Sequence, residues 1–300
     1  MATVYQMVTD RIIEQIRSGI IPWQQPWAGG QQLAISYTTR KPYSFLNQLL
    51  LGKPGEWLTW NQIQAHGGNV RRGARSRFCV FYQELEPPQP EEAGNNDEEP
   101  KRRFILRWYK VFHIDNTEGI ESRCPVIVPD PSLSPIQAAE DAIREYLNRE
   151  PGLKFINDQP SASAYYSPAL DEVVVPMLSQ YSLAEEYYST AFHELTHSTM
   201  HPDRCARAGE NEAAHFGSEA YSREELVAEM GAAMLCNRVG IENEKAFRNS
   251  AAYIQNWLTA LQNDNRMVIW ASKRAEEAAK YILGERESAI RPRLTKKSRD

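Results

Sequence analysis

The sequence predicts an α+β protein, with a β-rich N-terminal half followed by a mostly helical C-terminal half. Three observations carry that reading. Phe78–Leu85 and Phe104–Phe112 are dominated by aromatic and β-branched residues, the composition of strands. From Ala184 onward, apolar residues recur mostly at helical spacing. Between the two textures, Pro125, Pro129 and Pro131 interrupt the chain just ahead of a helical pattern.

The first element is an amphipathic helix. Tyr5, Val8, Ile12 and Ile16 fall on one face, and Gly19 stands where such a helix stops. Residues 37 to about 128 read as β-rich, containing the two aromatic strands. The segment 86–100 between them is polar, acidic and proline-rich, so it is expected as a surface loop joining two strands that pair. Ser134-Pro135 opens a helix to about Arg149, with Ile136, Ala139, Ile143 and Leu147 on one face. A strand is expected at Glu172–Pro176, then a helix over Leu183–Met200 and another over Ser222–Leu235. The charged tail after Gly284 is expected to fray. Domains are therefore expected at 1–128 and 135–290.

Size and composition bound the function. A chain of 300 residues has length for about two domains. Its 42% hydrophobic and 24% charged residues are ordinary for a globular protein. No apolar run approaches the roughly 20 residues that span a bilayer, so no membrane association is expected. Met1–Gly19 lacks the basic-then-apolar order of a signal peptide, so the cytoplasm is the expected location. Cys79, Cys124, Cys205 and Cys236 are scattered and form no CxxC pair, which leaves reduced structural thiols. The net charge of -5 argues globally against nucleic acid. The charge is segregated, however: Glu84–Glu99 is acidic, while Arg71, Arg72, Arg75 and Arg77 crowd one short basic segment.

His193-Glu-Leu-Thr-His197 is an HExxH motif. On a helix, positions i and i+4 share a face, so His193 and His197 can offer ring nitrogens to one zinc ion, with manganese as an alternative. Glu194 beside them is the expected general base, taking a proton from the attacking water and delivering it to the leaving amine. A third ligand is needed, and three acids compete. Asp203 has a metzincin-like offset, but Met200 and Pro202 break that pattern. Glu225 and Glu229 lie one helical turn apart, Glu229 within an apolar run where a lone buried carboxylate is costly. Glu225 also fits a capping box with Ser222. The arrangement resembles the glutamate helix of gluzincins, which favours Glu225 as ligand and Glu229 as orienter, with the reverse assignment open. His201 and His215 read as surface or loop histidines. Tyr221 is a candidate oxyanion donor or a packing residue.

The N-terminal half interleaves rings and cations, the combination that single-stranded DNA binding needs. Trp23, Trp27, Tyr43, Trp60 and Trp108 are the candidate stacking residues, and Arg71, Arg72, Arg75 and Arg77 the candidate phosphate contacts. Against this, aromatics in strands are usually core, and exposed arginines are usually solvated.

Several stretches resemble a known family. Pro22-Trp-Gln-Gln-Pro-Trp27, Tyr43–Leu51, Trp57-Leu-Thr-Trp60 with Gly67–Gly73, and Tyr109–Gly119 are similar to the ArdC N-terminal domain, found also at the start of some plasmid conjugation primases. His193–His197, Gly217–Tyr221 and Glu224–Glu229 are similar to the metallopeptidase half of ArdC antirestriction proteins. The resemblance implies a single-stranded-DNA-binding domain followed by a zincin-like domain. It also implies a protein of conjugative plasmids that shields incoming DNA from host restriction. The match departs from the family's YRGxN pattern at Ser44 and Phe45, where Arg-Gly is expected. Three functions compete. The first joins both halves, so that DNA tethering concentrates a metallopeptidase on restriction subunits or other DNA-bound proteins. The second is a non-catalytic protector with a structural metal site. The third is a DNA-dependent protease that clears proteins from DNA.

Overall fold

The computed structural model describes residues 3–24, 33–85, 103–124, 135–207, 219–241 and 251–285. The interruption expected near 125–134 and the acidic stretch 86–100 lie outside the described residues. The chain begins with α1 (Val4–Arg17), capped by the Thr3 hydroxyl at its start and ended at Gly19, whose φ of 84° glycine adopts without strain. A short turn at Pro22–Gln24 follows. Next come β1 (Ala34–Ser36), α2 (Phe45–Leu51), β2 (Gly55–Leu58), α3 (Trp60–Ala65) and β3 (Asn69–Val70). The two aromatic strands form as expected, as β4 (Arg77–Leu85) and β5 (Arg103–His113), and pair antiparallel along their length. β6 (Thr117–Glu118) then pairs with β3. The larger sheet has the order β1-β2-β5-β4.

The second half opens with α4 (Pro135–Arg149), whose proline sits at the first helical position, where its missing N–H costs nothing. β7 (Lys154–Ile156), β8 (Tyr165–Ser167) and β9 (Glu172–Val174) make a small sheet of order β7-β9-β8, leaving β8 at an edge. Among the described residues four helices follow: α5 (Ala184–Ser198), α6 (Glu219–Val239), α7 (Ala251–Asn263) and α8 (Met267–Ile282). Among the described residues no helix is long and apolar enough to cross a membrane.

Two cores meet on α6 and α8. One packs Val8, Ile12 and Ile16 of α1 and Leu49 of α2 against Leu226 and Met230 of α6 and Val268 of α8. The other packs Ile143 of α4, Val173 of β9 and Phe192 of α5 against Leu235 of α6 and Ile282 of α8. The N-terminal helices are thus seated directly on α6, the helix that carries Glu224, Glu225 and Glu229. All four cysteines are free thiols.

Candidate metal centre

α5 presents its HExxH residues toward α6. The His193 and His197 rings stand 4.8 Å apart at 79°, with their Nε2 atoms 3.2 Å from each other. Glu225 comes from the facing helix and lies 3.5 Å from each of those nitrogens. One donor atom from each of the three falls within 4.8 Å of the others, as convergence on one ion requires. All three side chains stay partly open to solvent, at 19%, 14% and 27% exposure. Glu229 lies one turn beyond Glu225, and its charge acts on His193.

The helices approach closely because Gly231 has no side chain. A Cβ there would stand 2.6 Å from Thr196 Cγ2 on α5. Gly231 lies seven residues after Glu224, two turns along the same face, so this contact also brings Glu224 against the end of α5. Glu224 is buried, with an oxygen 3.5 Å from His197 Nδ1. Arg207 donates to that carboxylate at 2.7 Å, and also to the Thr199 hydroxyl and, at 3.0 Å, to the Thr196 carbonyl in the last turn of α5. Sequence reasoning missed both residues. Glu224 is the acid that faces the Nδ1 of His197, while Glu229, the expected orienter, acts on His193. One signal was available: Glu224 also falls in register with the apolar positions of α6.

The electrostatics follow from this crowding. Burial opposes charge on His197, but hydrogen bonds to Glu224 and Glu225 outweigh it, and its ring is pushed up to about 10. His193 is raised in the same way, by Glu225 acting against burial. Burial would raise the Glu225 carboxyl, yet the two histidines hold it well below the usual carboxylate range. Glu194 behaves oppositely. Burial pushes its carboxyl up, with His193 and His197 opposing, and the nearby Tyr166 backbone on β8 also opposing it. That contact puts the acid between the histidines and the edge strand.

Other expectations need correction. Asp203 is no ligand candidate here: its side chain is 90% exposed, and its nearest imidazole is His201, at 3.8 Å. Its place in the tight turn after α5 points it into solvent. Ser222 is not the N-cap of α6, because the helix starts earlier, at Glu219. His215 and the Tyr221 side chain lie outside the described residues.

The DNA-binding candidates separate by burial. Trp23 is fully buried, edge-on to Trp257 at 6.0 Å, so it is a core residue and cannot stack on a base. Its short turn tucks the indole beneath α6 and α7. Trp27 lies outside the described residues. Trp60 and Trp108 are exposed, at 52% and 42%. Arg71, Arg72 and Arg75 are exposed in the turn between β3 and β4. Arg77 is half-buried, and burial, with Arg11 nearby, lowers its pKa. Tyr43 is half-buried against Tyr109 and Cys79, and burial drives its phenol upward. Phe45, at the departure from the family pattern, is a buried first residue of α2 whose N–H bonds Glu276 of α8.

Two family models match separate stretches of the chain. Residues 2–112 match the N-terminal domain of anti-restriction factor ArdC, and residues 145–274 match a zincin-like metallopeptidase. The chain is 30% identical to DNA primase TraC of Escherichia coli, over 98% of this chain and 28% of the relative. A second TraC primase is also 30% identical, over 93% of this chain and 20% of that one. The chain therefore spans about a quarter of the length of these primases. An uncharacterized protein of Sinorhizobium fredii, y4eC, is 28% identical over 96% of this chain and 94% of its own. The metal-free crystal structure of antirestriction ArdC from the R388 plasmid is 30% identical, with a TM-score of 0.70 over 95% of this chain and 97% of that one. Its Mn(II)-bound form gives 0.68 over 95% and 98%.

Proposed function

The chain belongs to the ArdC family of antirestriction proteins, and from that premise we propose that it grips single-stranded DNA with residues 1–128 and hydrolyses nearby proteins with residues 135–290. On this reading it works in the cytoplasm, shielding incoming plasmid DNA from host restriction. One observation carries the hydrolytic half: His193, His197 and Glu225, from two helices, converge on one point beside the buried carboxylate of Glu194.

Two imidazoles and a carboxylate suit zinc, and the Mn(II)-bound relative makes manganese worth testing beside it. Such an ion, when bound, supplies Lewis acidity toward a peptide carbonyl and makes water acidic enough to attack at neutral pH. The chain's own groups do the rest. His193, His197 and Glu225 would hold the ion, while Glu224 and Arg207 would keep the His197 ring turned toward it. Glu194 accepts the proton of the attacking water and passes it to the leaving nitrogen. Its raised carboxyl suits a group that must first take that proton from water. β8 pairs only with β9 among the described residues, so a substrate strand can add to its free edge, next to Glu194. In the N-terminal half, exposed Trp60, Arg71, Arg72 and Arg75 supply rings and cations for a single strand.

The test is Glu194→Gln in the full chain. Metal content and oligonucleotide binding are expected to be unchanged. Cleavage of a DNA-bound restriction subunit is expected to fall about 10²–10⁴-fold, and protection in conjugation to be lost with it. Undiminished protection would instead favour a protein that acts by occupying DNA. Cleavage of many unrelated proteins, dependent on single strands, would favour a protease that clears DNA.

A further inference from the structure

The β4–β5 hairpin has two unlike faces. Its register pairs Cys79 with Tyr109 and Phe81 with Arg107, so these four share one face, while Val80 and Trp108 share the other. Val80 packs into the helical core. On the Tyr109 face opens a cavity of about 320 Å³, bounded by Tyr43, Tyr109, Thr59, Gln62 and Lys41 and remote in sequence from the metal ligands. That volume lies at the lower end of the roughly 300–1,000 Å³ of small-ligand sites. It suits one flat ring system.

The walls offer hydrogen bonds in fixed directions. The Tyr43 and Tyr109 side chains lie together beside buried Cys79. Gln62 accepts the Thr59 N–H through its side-chain carbonyl, while its own N–H bonds the Thr59 hydroxyl. This reciprocal cap fixes the Gln62 side chain and leaves its amide NH2 as a donor. Lys41 adds a cation at the wall. A ring stands beside it: Phe81 is 43% exposed with its centroid 5.7 Å from Tyr109. Arg107, across from Phe81, is exposed on the same face. Fixed donors and acceptors read a base edge, exposed rings stack on neighbouring bases, and flanking cations meet the phosphates.

We propose that this cavity is a nucleobase subsite: one unstacked base of a single DNA strand enters between Tyr43, Tyr109 and Gln62, a neighbouring base stacks on Phe81, and Lys41 and Arg107 meet the adjoining phosphates. The subsite rests on the single-strand-binding reading and sharpens it. It also assigns the DNA path to the Tyr109 face and removes Trp108 from it.

Photocrosslinking of the full chain to a single-stranded oligonucleotide carrying 5-iodouracil, read by mass spectrometry, tests this. Crosslinks are expected at Tyr43, Tyr109 or Phe81. Crosslinks confined to Trp108 or to residues 71–77, with the oligonucleotide bound, would overturn the subsite and leave single-strand binding intact. An oligonucleotide that does not bind at all would overturn both. As a second readout, Lys41→Ala and Thr39→Trp, which crowds the cavity from an exposed turn, are each expected to weaken binding in fluorescence anisotropy. The expected loss is about tenfold, the order of one lost stacked base, at unchanged metal content. An unchanged affinity in both variants would also overturn the subsite.

Discussion

Replacing Glu224 by glutamine tests how the metal site is held. In the wild type, one carboxylate serves two donors: Arg207 at 2.7 Å and His197 Nδ1 at 3.5 Å. When Nε2 of His197 faces an ion, Nδ1 carries the proton and needs an acceptor. A glutamine keeps one oxygen and adds an NH2, so it must turn a donor toward either Arg207 or Nδ1–H. Removing an acceptor behind a metal-ligating histidine typically costs 10–100-fold in affinity, or about 1.4–2.8 kcal/mol at 1.4 kcal/mol per tenfold. A second effect acts on the fold. Arg207 is only 4% exposed, and deleting one partner of a buried ion pair costs about 3–5 kcal/mol. Glu224→Ala should show that full loss. Glu224→Gln should lose less, because Arg207 keeps a hydrogen-bonding oxygen and its bonds to Thr196 and Thr199. The assay is zinc competition against a chromophoric chelator, paired with urea denaturation in excess chelator to isolate the metal-free fold. If Glu224→Gln binds zinc like wild type while the metal-free fold weakens, the pair is purely structural and this reasoning fails.

Other expectations are independent of that one. His197 titrates near 10 in the metal-free protein, far above its ordinary value near 6.5, so metal must displace a proton at neutral pH. Zinc affinity should rise by about a factor of ten or more per pH unit between pH 6.5 and 8, with proton release measurable by calorimetry in different buffers; a flat profile would contradict this. For the metal-free fold the raised pKa has the opposite sense: its stabilisation is complete below about 6.5 and disappears as pH climbs through about 10. Gly231→Ala forces a methyl against Thr196 and should cost about 1–3 kcal/mol by overpacking, read as a lower urea midpoint. An unchanged midpoint would mean the helices separate freely there. Trp60→Ala should weaken single-strand binding by about 1–3 kcal/mol with stability nearly intact. Trp23→Ala should instead cost the fold about 3–5 kcal/mol, and the two effects are separable by anisotropy and denaturation.

What the sequence made legible was local. Hydrophobic period locates α1, α4 and α5, because each buries one face against the cores, and aromatic and β-branched composition locates β4 and β5 to within a residue. The spacing of His193 and His197 fixed their common direction before any packing was known, and a pair of acids on one helix narrowed the third donor. What stayed hidden depends on how elements meet. The acid that faces His197 Nδ1 is set by the rotation of α6 against α5, and that rotation rests on Gly231 meeting Thr196. The α6 start at Glu219 lies three residues before Ser222, so no capping box could be read correctly from its spacing. Trp23 and Trp60 are chemically identical, and only the fold buries one beneath α7 and leaves the other in solvent. Alternation alone puts Trp108 and Tyr109 on opposite faces, but helix packing decides which face borders the cavity.

X-ray absorption at the zinc edge of the loaded full chain addresses the metal centre most directly. Two imidazole nitrogens and a carboxylate oxygen at about 2.0–2.2 Å are expected, with one nitrogen lost in His197→Ala and one oxygen in Glu225→Ala. A sulfur shell near 2.3 Å, or a spectrum unmoved by either substitution, would place the ion elsewhere and contradict the account.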